Sequence, residues 1–295
     1  MQASHGTYTM RDGYDIFYGR TAVLGTKHGK ERAIAPVLDE HLGVHVSVPE
    51  DFDSDRFGTF TREVDRAGNQ LETARRKAQA AMNQSGKALG LASEGSVGPH
   101  PTVGLLPVNL ELVVLIDRRH DVEVVGKNIS PHVVMAHETV RSVDEALTWA
   151  GRVGFPEHGL VVRRGPDDGR GMTKGIANEA TLVEAVERLL RKPFVRSVFI
   201  ETDLRAHMNP TRMDAIRDAA IDLVENARRR CPACERPGFS VDEARPGLPC
   251  AWCGLPTNAT LAHVYRCGAC AHRSVRRHPH DREAADPGQC PFCNP

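Results

Sequence analysis

Residues 110–130, LELVVLIDRRHDVEVVGKNIS, carry the reading on which the fold turns. Leu110–Arg118 and Val122–Ser130 are apolar runs of strand length, rich in β-branched residues, and Arg119, His120 and Asp121 can turn between them. Working outward, ALGLASEG (88–95) reads as a buried strand ending in a glycine turn, and LETARRKAQAAM (71–82) as a helix of good helix formers. VHVSVP (44–49) alternates as a strand does. ERAIAPVLDEHLG (31–43) places Ile34, Val37, Leu38 and Leu42 at helical spacing, with Gly43 as C-cap and Pro36 at a start or a kink. TAVLGT (21–26) is a short apolar strand.

The alternation continues toward the C-terminus. Ser142 and Glu145 form a capping box ahead of a helix, GLVVRR (159–164) is a strand, NEATLVEAVERLLRK (178–192) a helix capped by Asn178, and SVFIETD (197–203) a strand. Together these segments predict an α/β fold, with helices flanking a mixed or largely parallel sheet. The last helix is the clearest. Asn209 caps it, Pro210 suits its first turn, and Met213, Ile216, Ala220, Leu223, Val224 and Ala227 make its apolar stripe. Arg228–Arg230 end it, where cations favour the helix dipole. The expected organisation is an α/β domain over 1–208, a helical stalk over 209–230 and a small zinc-ribbon module over 231–295.

The module is announced by its cysteines. All eight fall after position 230, as Cys231-Pro-Ala-Cys234, Cys250-Ala-Trp-Cys253, Cys267-Gly-Ala-Cys270 and Cys290-Pro-Phe-Cys293. Two residues between cysteines let both sulfurs face one tetrahedral zinc, so two Zn²⁺ are expected, each closed by four thiolates with no position left for a reacting water. Gaps of 15 and 19 residues within successive pairs suit a returning hairpin, which makes sequential pairing (231/234 with 250/253, 267/270 with 290/293) the expectation. An interleaved cross-brace is the alternative. His263, His272, His278 and His280 lie nearby and are expected outside the ligand sets.

Charge sets further bounds. The chain balances 38 basic against 38 acidic residues, which argues against a whole-protein grip on nucleic acid or anionic lipid. Arg266, Arg273, Arg276, Arg277 and Arg282 would make a local patch, but eight thiolates around two Zn²⁺ leave four excess negative charges for them to offset. Nucleic acid is therefore possible but not the favoured partner. No apolar run has the length of a membrane span, and the polar start lacks a signal-peptide pattern, so a cytoplasmic setting and no membrane partner are expected. Asp51-x-Asp53-x-Asp55 opens like a calcium loop, yet Arg56 and Arg62 stand where glycine and glutamate are needed. GPDDGRG (165–171) reads as a surface loop.

Three segments form a candidate active site. Thr26-Lys27-His28-Gly29-Lys30 is a strand-to-helix turn whose N–H groups and lysines suit an anion. Glu72 and Lys77 lie on a helix. Glu94 ends a buried strand before glycines, where α/β folds place ligand chemistry and a carboxylate can hold Mg²⁺. This ordered set resembles the house-cleaning nucleotide pyrophosphatases of the inosine-triphosphatase-like superfamily. Glu72, Ala74, Lys77 and Ala78 match that family's helix motif with Thr73 in place of its Asn, and Ser93-Glu94-Gly95 matches its acidic turn. His28 stands where Asn is usual, and Lys30 comes one residue early. The resemblance implies an inosine-triphosphatase-like fold and Mg²⁺-dependent hydrolysis of a nucleotide or related phosphoanhydride. Glu72 and Glu94 would bind Mg²⁺, Thr26, Lys27, His28, Lys30 and Lys77 the phosphates, and Arg212, near His207, Asn209 and Thr211, the base. The whole chain, through Glu201-Thr-Asp-Leu-Arg205, Asn209-Pro-Thr-Arg212 and the terminal CPFCNP, is also similar to a family of uncharacterised bacterial proteins. A non-catalytic zinc-ribbon protein that binds nucleic acid or a protein partner is the alternative.

Overall fold

The computed structural model describes residues 16–54, 69–99 and 107–294. The start of the chain through Asp15, the calcium-like positions Asp55, Arg56 and Arg62, and His100 and Pro101 lie outside them.

The first part is an α/β layer with a mixed sheet. In chain order it contains β1 (Thr21–Leu24), α1 (Glu31–Leu42), β2 (His45–Ser47), α2 (Gln70–Ser85), β3 (Leu89–Pro99), β4 (Pro107–Asp117) and β5 (Val122–Ser130). The strands stand in the order β2-β1-β3-β4-β5. β1 runs parallel to β2 and β3, and β3, β4 and β5 form an antiparallel meander. β3 does not turn at Gly95 as its sequence suggested. β4 pairs with it from Leu89↔Asp117 to Pro99↔Pro107, and this ladder carries the strand through the glycines. Pro36 lies inside α1 rather than at its start, and Gly43 closes that helix at φ 60° with its N–H on the Asp39 and Leu38 carbonyls.

Both faces of this sheet are covered. α1 and α5 (Pro210–Arg228) bury Ile34, Leu38, Ile216, Leu223 and Val224 against Leu24, Leu91, Val113 and Leu115. On the other face Ala74 and Ala78 of α2 pack on Ala92, Leu112 and Val114. Small residues set these distances. A side chain at Gly126 would collide with the backbone of α5 at Ala219 and Leu223, so only glycine lets this helix lie directly on β5. The helix expected as a stalk is thus also a wall of the core.

A second sheet, not foreseen in the sequence, occupies 137–202. Its strands β6 (His137–Val140), β7 (Leu160–Arg163), β8 (Thr173–Ile176) and β9 (Val198–Thr202) stand in the order β6-β9-β7-β8, antiparallel at every pairing. α3 (Val143–Arg152) and α4 (Glu179–Leu190) cover one face with Trp149, Leu182, Val186 and Leu189. Both helices are capped at the expected residues, with Ser142 accepting from Glu145 N and Asn178 from Thr181 N, but the box expected at Ser142 does not close, because the Glu145 carboxylate accepts from Arg141 N (2.7 Å). Gly165–Gly171 falls between β7 and β8, where Asp168 and Arg170 pair at the surface. The two sheets are joined where Asn209 Nδ2 donates to the Val134 carbonyl (3.0 Å) and Val134 N donates to Thr211 Oγ1 (2.9 Å).

The cysteine module follows α5 directly. It is a three-stranded antiparallel sheet, β10 (Ser240–Pro246), β11 (Thr260–Arg266) and β12 (Arg273–Arg277), with the four cysteine knuckles before, between and after its strands. No helix among the described residues is long and apolar enough to cross a membrane.

Candidate functional site

α1 leaves β1 toward β2 on one face of the first sheet, and α2 reaches β3 across the other, so the chain reverses its winding between β1 and β3. Open α/β sheets bind ligands in the crevice that such a reversal leaves at the carboxyl ends of the strands. β1 stops at Leu24 while β3 continues, and into this gap Lys30 extends its ammonium to donate to the Ser93 carbonyl (2.9 Å).

Around Lys30 the structure gathers four more buried charges. On the α2 face, Lys77 and Glu94 form an ion pair with side chains 8% and 5% exposed. On the opposite face Arg212, in the first turn of α5, donates Nε to Glu111 of β4 (2.6 Å), with exposures of 2% and 0%. A second Arg212 nitrogen donates to the Leu204 carbonyl, which ties the linker after β9 to the first sheet. Gly95 is required at this point, because a Cβ would collide with both the Glu111 carboxylate and the Arg212 guanidinium. Gln70, at the start of α2, donates to the carbonyls of Glu94 (2.8 Å) and Leu110 (3.0 Å). The N-termini of α1, α2 and α5 therefore all meet this cluster, and their partial positive charge adds to that of the three cations.

This crowding tells on Lys30. Burial, and then the neighbouring Arg212, hold its pKa down to about 8, against the opposing pull of Glu94 and Glu111. Three buried oxygens in the same part of the sheet, Ser93 Oγ, Asn109 Oδ1 and Glu111 Oε2, have no hydrogen-bond partner among the described residues. Three buried cations against two buried carboxylates form a site short of negative charge.

Of the residues expected in the α/β site, the structure brings Lys30, Lys77, Glu94 and Arg212 together. Thr26, Lys27 and His28 line the turn just above. Thr26 is buried and accepts from His28 N (3.4 Å), Lys27 pairs with Asp53 (3.5 Å), and the His28 ring stacks on His207 with centroids 5.2 Å apart. The turn separates a cleft of about 460 Å³, lined by Thr26, Lys27, Phe52 and Asp53, from one of about 310 Å³, lined by Arg32, His207, Pro210 and Met213; both reach Gly29. Glu72 has a different task. It is exposed, and its carboxylate accepts from Asn69 N while Asn69 Oδ1 accepts from Glu72 N (2.9 Å), a capping box that starts α2. Arg212, expected to meet a base, is enclosed by protein. Glu111 and Gln70 were not foreseen. The signal for Glu111 lay in NLELVVL (109–115), where apolar neighbours on both parities mark a strand buried on both faces, so that its one acid had to be buried too.

The cysteine module gathers its ligands in two sets. Cys231, Cys234, Cys267 and Cys270 form one, and Cys250, Cys253, Cys290 and Cys293 the other, with all ligand atoms of a set within 4.8 Å of one another. The pairing is thus the interleaved cross-brace and corrects the sequential arrangement expected from the gaps. The hairpin runs β10 to β11 and carries the third knuckle back to the first, and the second waits for the fourth. Sulfur separations of 3.6–3.8 Å match the roughly 3.8 Å edge of a tetrahedron with Zn–S of about 2.3 Å. The knuckles repeat one backbone device. In each the residue after the second cysteine (Glu235, Gly254, Ala271, Asn294) donates its N–H to the carbonyl of the first. Each set can hold one metal ion, which fits two structural zincs. The four nearby histidines stand outside both sets, His263 and His280 packing edge to face.

The family described as Domain of unknown function (DUF6671) matches residues 77–295, which hold Lys77, Glu94, Glu111, Arg212 and all eight cysteines. No protein of curated function and no solved structure matches the chain.

Proposed function

The chain belongs to the DUF6671 family, and from that premise we propose that its first sheet binds the phosphate chain of a nucleotide or related phosphoanhydride and hydrolyses it with Mg²⁺. The observation that carries this reading is the buried Lys30 ammonium, which donates to the Ser93 carbonyl of β3 past the end of β1, with the buried Lys77–Glu94 pair near it. Positive charge fixed at the carboxyl ends of strands, under a strand-to-helix turn, suits phosphate oxygens. The element order of the resemblance to the inosine-triphosphatase-like superfamily supports the same reading.

Mg²⁺ takes one or two carboxylates and fills the rest of its octahedron with phosphate oxygens and water. Glu94, in the middle of β3, supplies a carboxylate of the right hardness, and Glu72 is engaged in its cap. When bound, the metal would polarise the phosphoryl oxygens. Lys30 and Lys77 would offset charge gathering on the phosphates, and Glu111 would keep Arg212 fixed behind them. Hydrolysis forms a bond from water oxygen to phosphorus and breaks the bridging P–O bond. One proton of the water passes to a nearby base, and the leaving phosphate keeps the electron pair. The zinc module is structural in this reading, and the setting is cytoplasmic.

Pyrophosphate with Mg²⁺ is the direct binding probe. Calorimetry should show saturable binding that Lys30→Met and Lys77→Met each weaken at least tenfold, with zinc content unchanged. Equal affinity in both variants and the parent would discard the site. A second reading, a non-catalytic zinc module that binds a partner, is favoured by one feature, the exposed aromatic side chains of the second cysteine set.

A further inference from the structure

The two cysteine sets have the same ligands and different faces. In the first, the residues that precede the closing cysteines are Ala233 and Ala269. Phe239 and Tyr265 pack around that set, and Arg229 stacks on Tyr265 at 5.3 Å. In the second set the same two positions are Trp252 and Phe292, which are 80% and 63% exposed. Alanine satisfies the knuckle geometry in the first set, so metal binding does not call for aromatic residues in the second. Their exposure has a cost, since apolar area left in water forgoes roughly 25 cal/mol per Å².

One other side chain is more exposed than either. Phe194, 98% exposed, tops the turn between α4 and β9 at φ 66°, a backbone region that bulky residues rarely adopt. Arg191, Lys192 and Arg196 surround it, and of these Arg191 is paired with Glu187. Beside the second cysteine set acids outnumber bases, with Asp281, Glu283 and Asp286 against Arg282 in 281–286. The strip 283–286, which bridges to Cys250 at Ala285, presents Glu283 and Asp286, and four thiolates around Zn²⁺ add two further negative charges. The three most exposed large apolar side chains among the described residues thus form a basic tip and an acidic aromatic pole.

We propose that the pole receives the Phe194 tip of a second copy of this chain, in a head-to-tail contact. The ring of Phe194 would lie between Trp252 and Phe292, and Lys192 and Arg196 would face Glu283 and Asp286. Tip and pole are different surfaces, so the contact is heterologous and the pair keeps one tip and one pole free for the next copies. A contact of this size falls below the area of a stable dimer and gives weak, salt-screened association.

Mixing variants of the zinc-loaded full chain tests this. Sedimentation velocity of the parent should show its average mass rising with concentration into the high micromolar range, and the rise should shrink in high salt. Phe194→Ser should remove it, as should Trp252→Ser with Phe292→Ser, each with two zincs per chain retained. An equimolar mixture of these two variants should then form dimers that grow no further, because one intact tip and one intact pole remain. A parent that stays monomeric at every concentration overturns the proposal. So does association lost only in the pole variant, which would mean pole-to-pole pairing, and so does a mixture that stays monomeric.

Discussion

At the centre of the first sheet, five ionisable side chains are buried against one another: Lys30, Lys77, Glu94, Glu111 and Arg212. The cysteine module buries one cysteine from each knuckle and a few apolar residues such as Phe239, Leu248, Ala262 and Val264. The first region has apolar layers on both faces and can hold unfavourable charges in its middle, as a site for a charged ligand requires. The second has too little apolar area to fold by itself, and its cohesion has to come from metal. Strain at a functional site is tolerated where the surrounding core is large, and a small module is built around ligands that leave little chemistry free.

The sharpest way to break this comparison is to take the metal away. Structural zinc contributes roughly 10–16 kcal/mol to small zinc domains. Chelation should abolish hydrogen-exchange protection across β10–β12 and leave the amides of β3 and β4 protected. Interleaving adds a finer expectation. Cys231→Ser with Cys267→Ser removes two ligands of one interleaved set and should leave about one zinc per chain, where sequential pairing would lose a ligand from both sites.

Within the first sheet the next largest effect concerns Arg212. Removing one partner of a buried ion pair costs about 3–5 kcal/mol, because the other charge is left without compensation. Glu111→Leu should lose that much stability in urea unfolding, and adding Arg212→Met should recover most of it.

The pH dependence of stability sharpens the picture of Lys30. Its pKa is about 8 folded and near 10.5 in the open chain, so the unfolded state binds the proton more tightly. The resulting penalty on the folded state is complete below about pH 8 and is relieved as pH rises from about 8 toward 10.5. This relief is on the order of 2–3 kcal/mol, and Lys30→Met should flatten that part of the stability curve relative to the parent. Smallest is the cap of α4, where exposed Asn178 accepts from Thr181 N (2.9 Å). Asn178→Ala should cost about 1 kcal/mol in the same urea assay.

Much of the first sheet was legible because its signals are local: the cap of α5 at Asn209, apolar runs of strand length, and glycine after α1. Four of the five clustered charges were picked out as site residues, Lys30 from its strand-to-helix turn, Glu94 from its strand before glycines, and Lys77 and Arg212 through the family resemblance. The second sheet was not legible as a sheet of its own. His137–Val140 and Thr173–Ile176 are four-residue strands with only Val140 and Ile176 buried, too short to show an alternation. The pairing of knuckles was missed for another reason. Gaps of 13, 15 and 19 residues all permit closure, and the choice among them lies in the β10–β11 hairpin, a non-local fact.

The central claim is that the crevice between β1 and β3 performs phosphoanhydride hydrolysis with Glu94. Turnover of nucleoside triphosphates and pyrophosphate in Mg²⁺, in the parent and in Glu94→Gln, tests it most directly. The account predicts product release by the parent and a loss of roughly two or more orders of magnitude in the variant, with near-ultraviolet dichroism and zinc content unchanged. A parent with no turnover across the panel, or a folded Glu94→Gln variant as active as the parent, would contradict it.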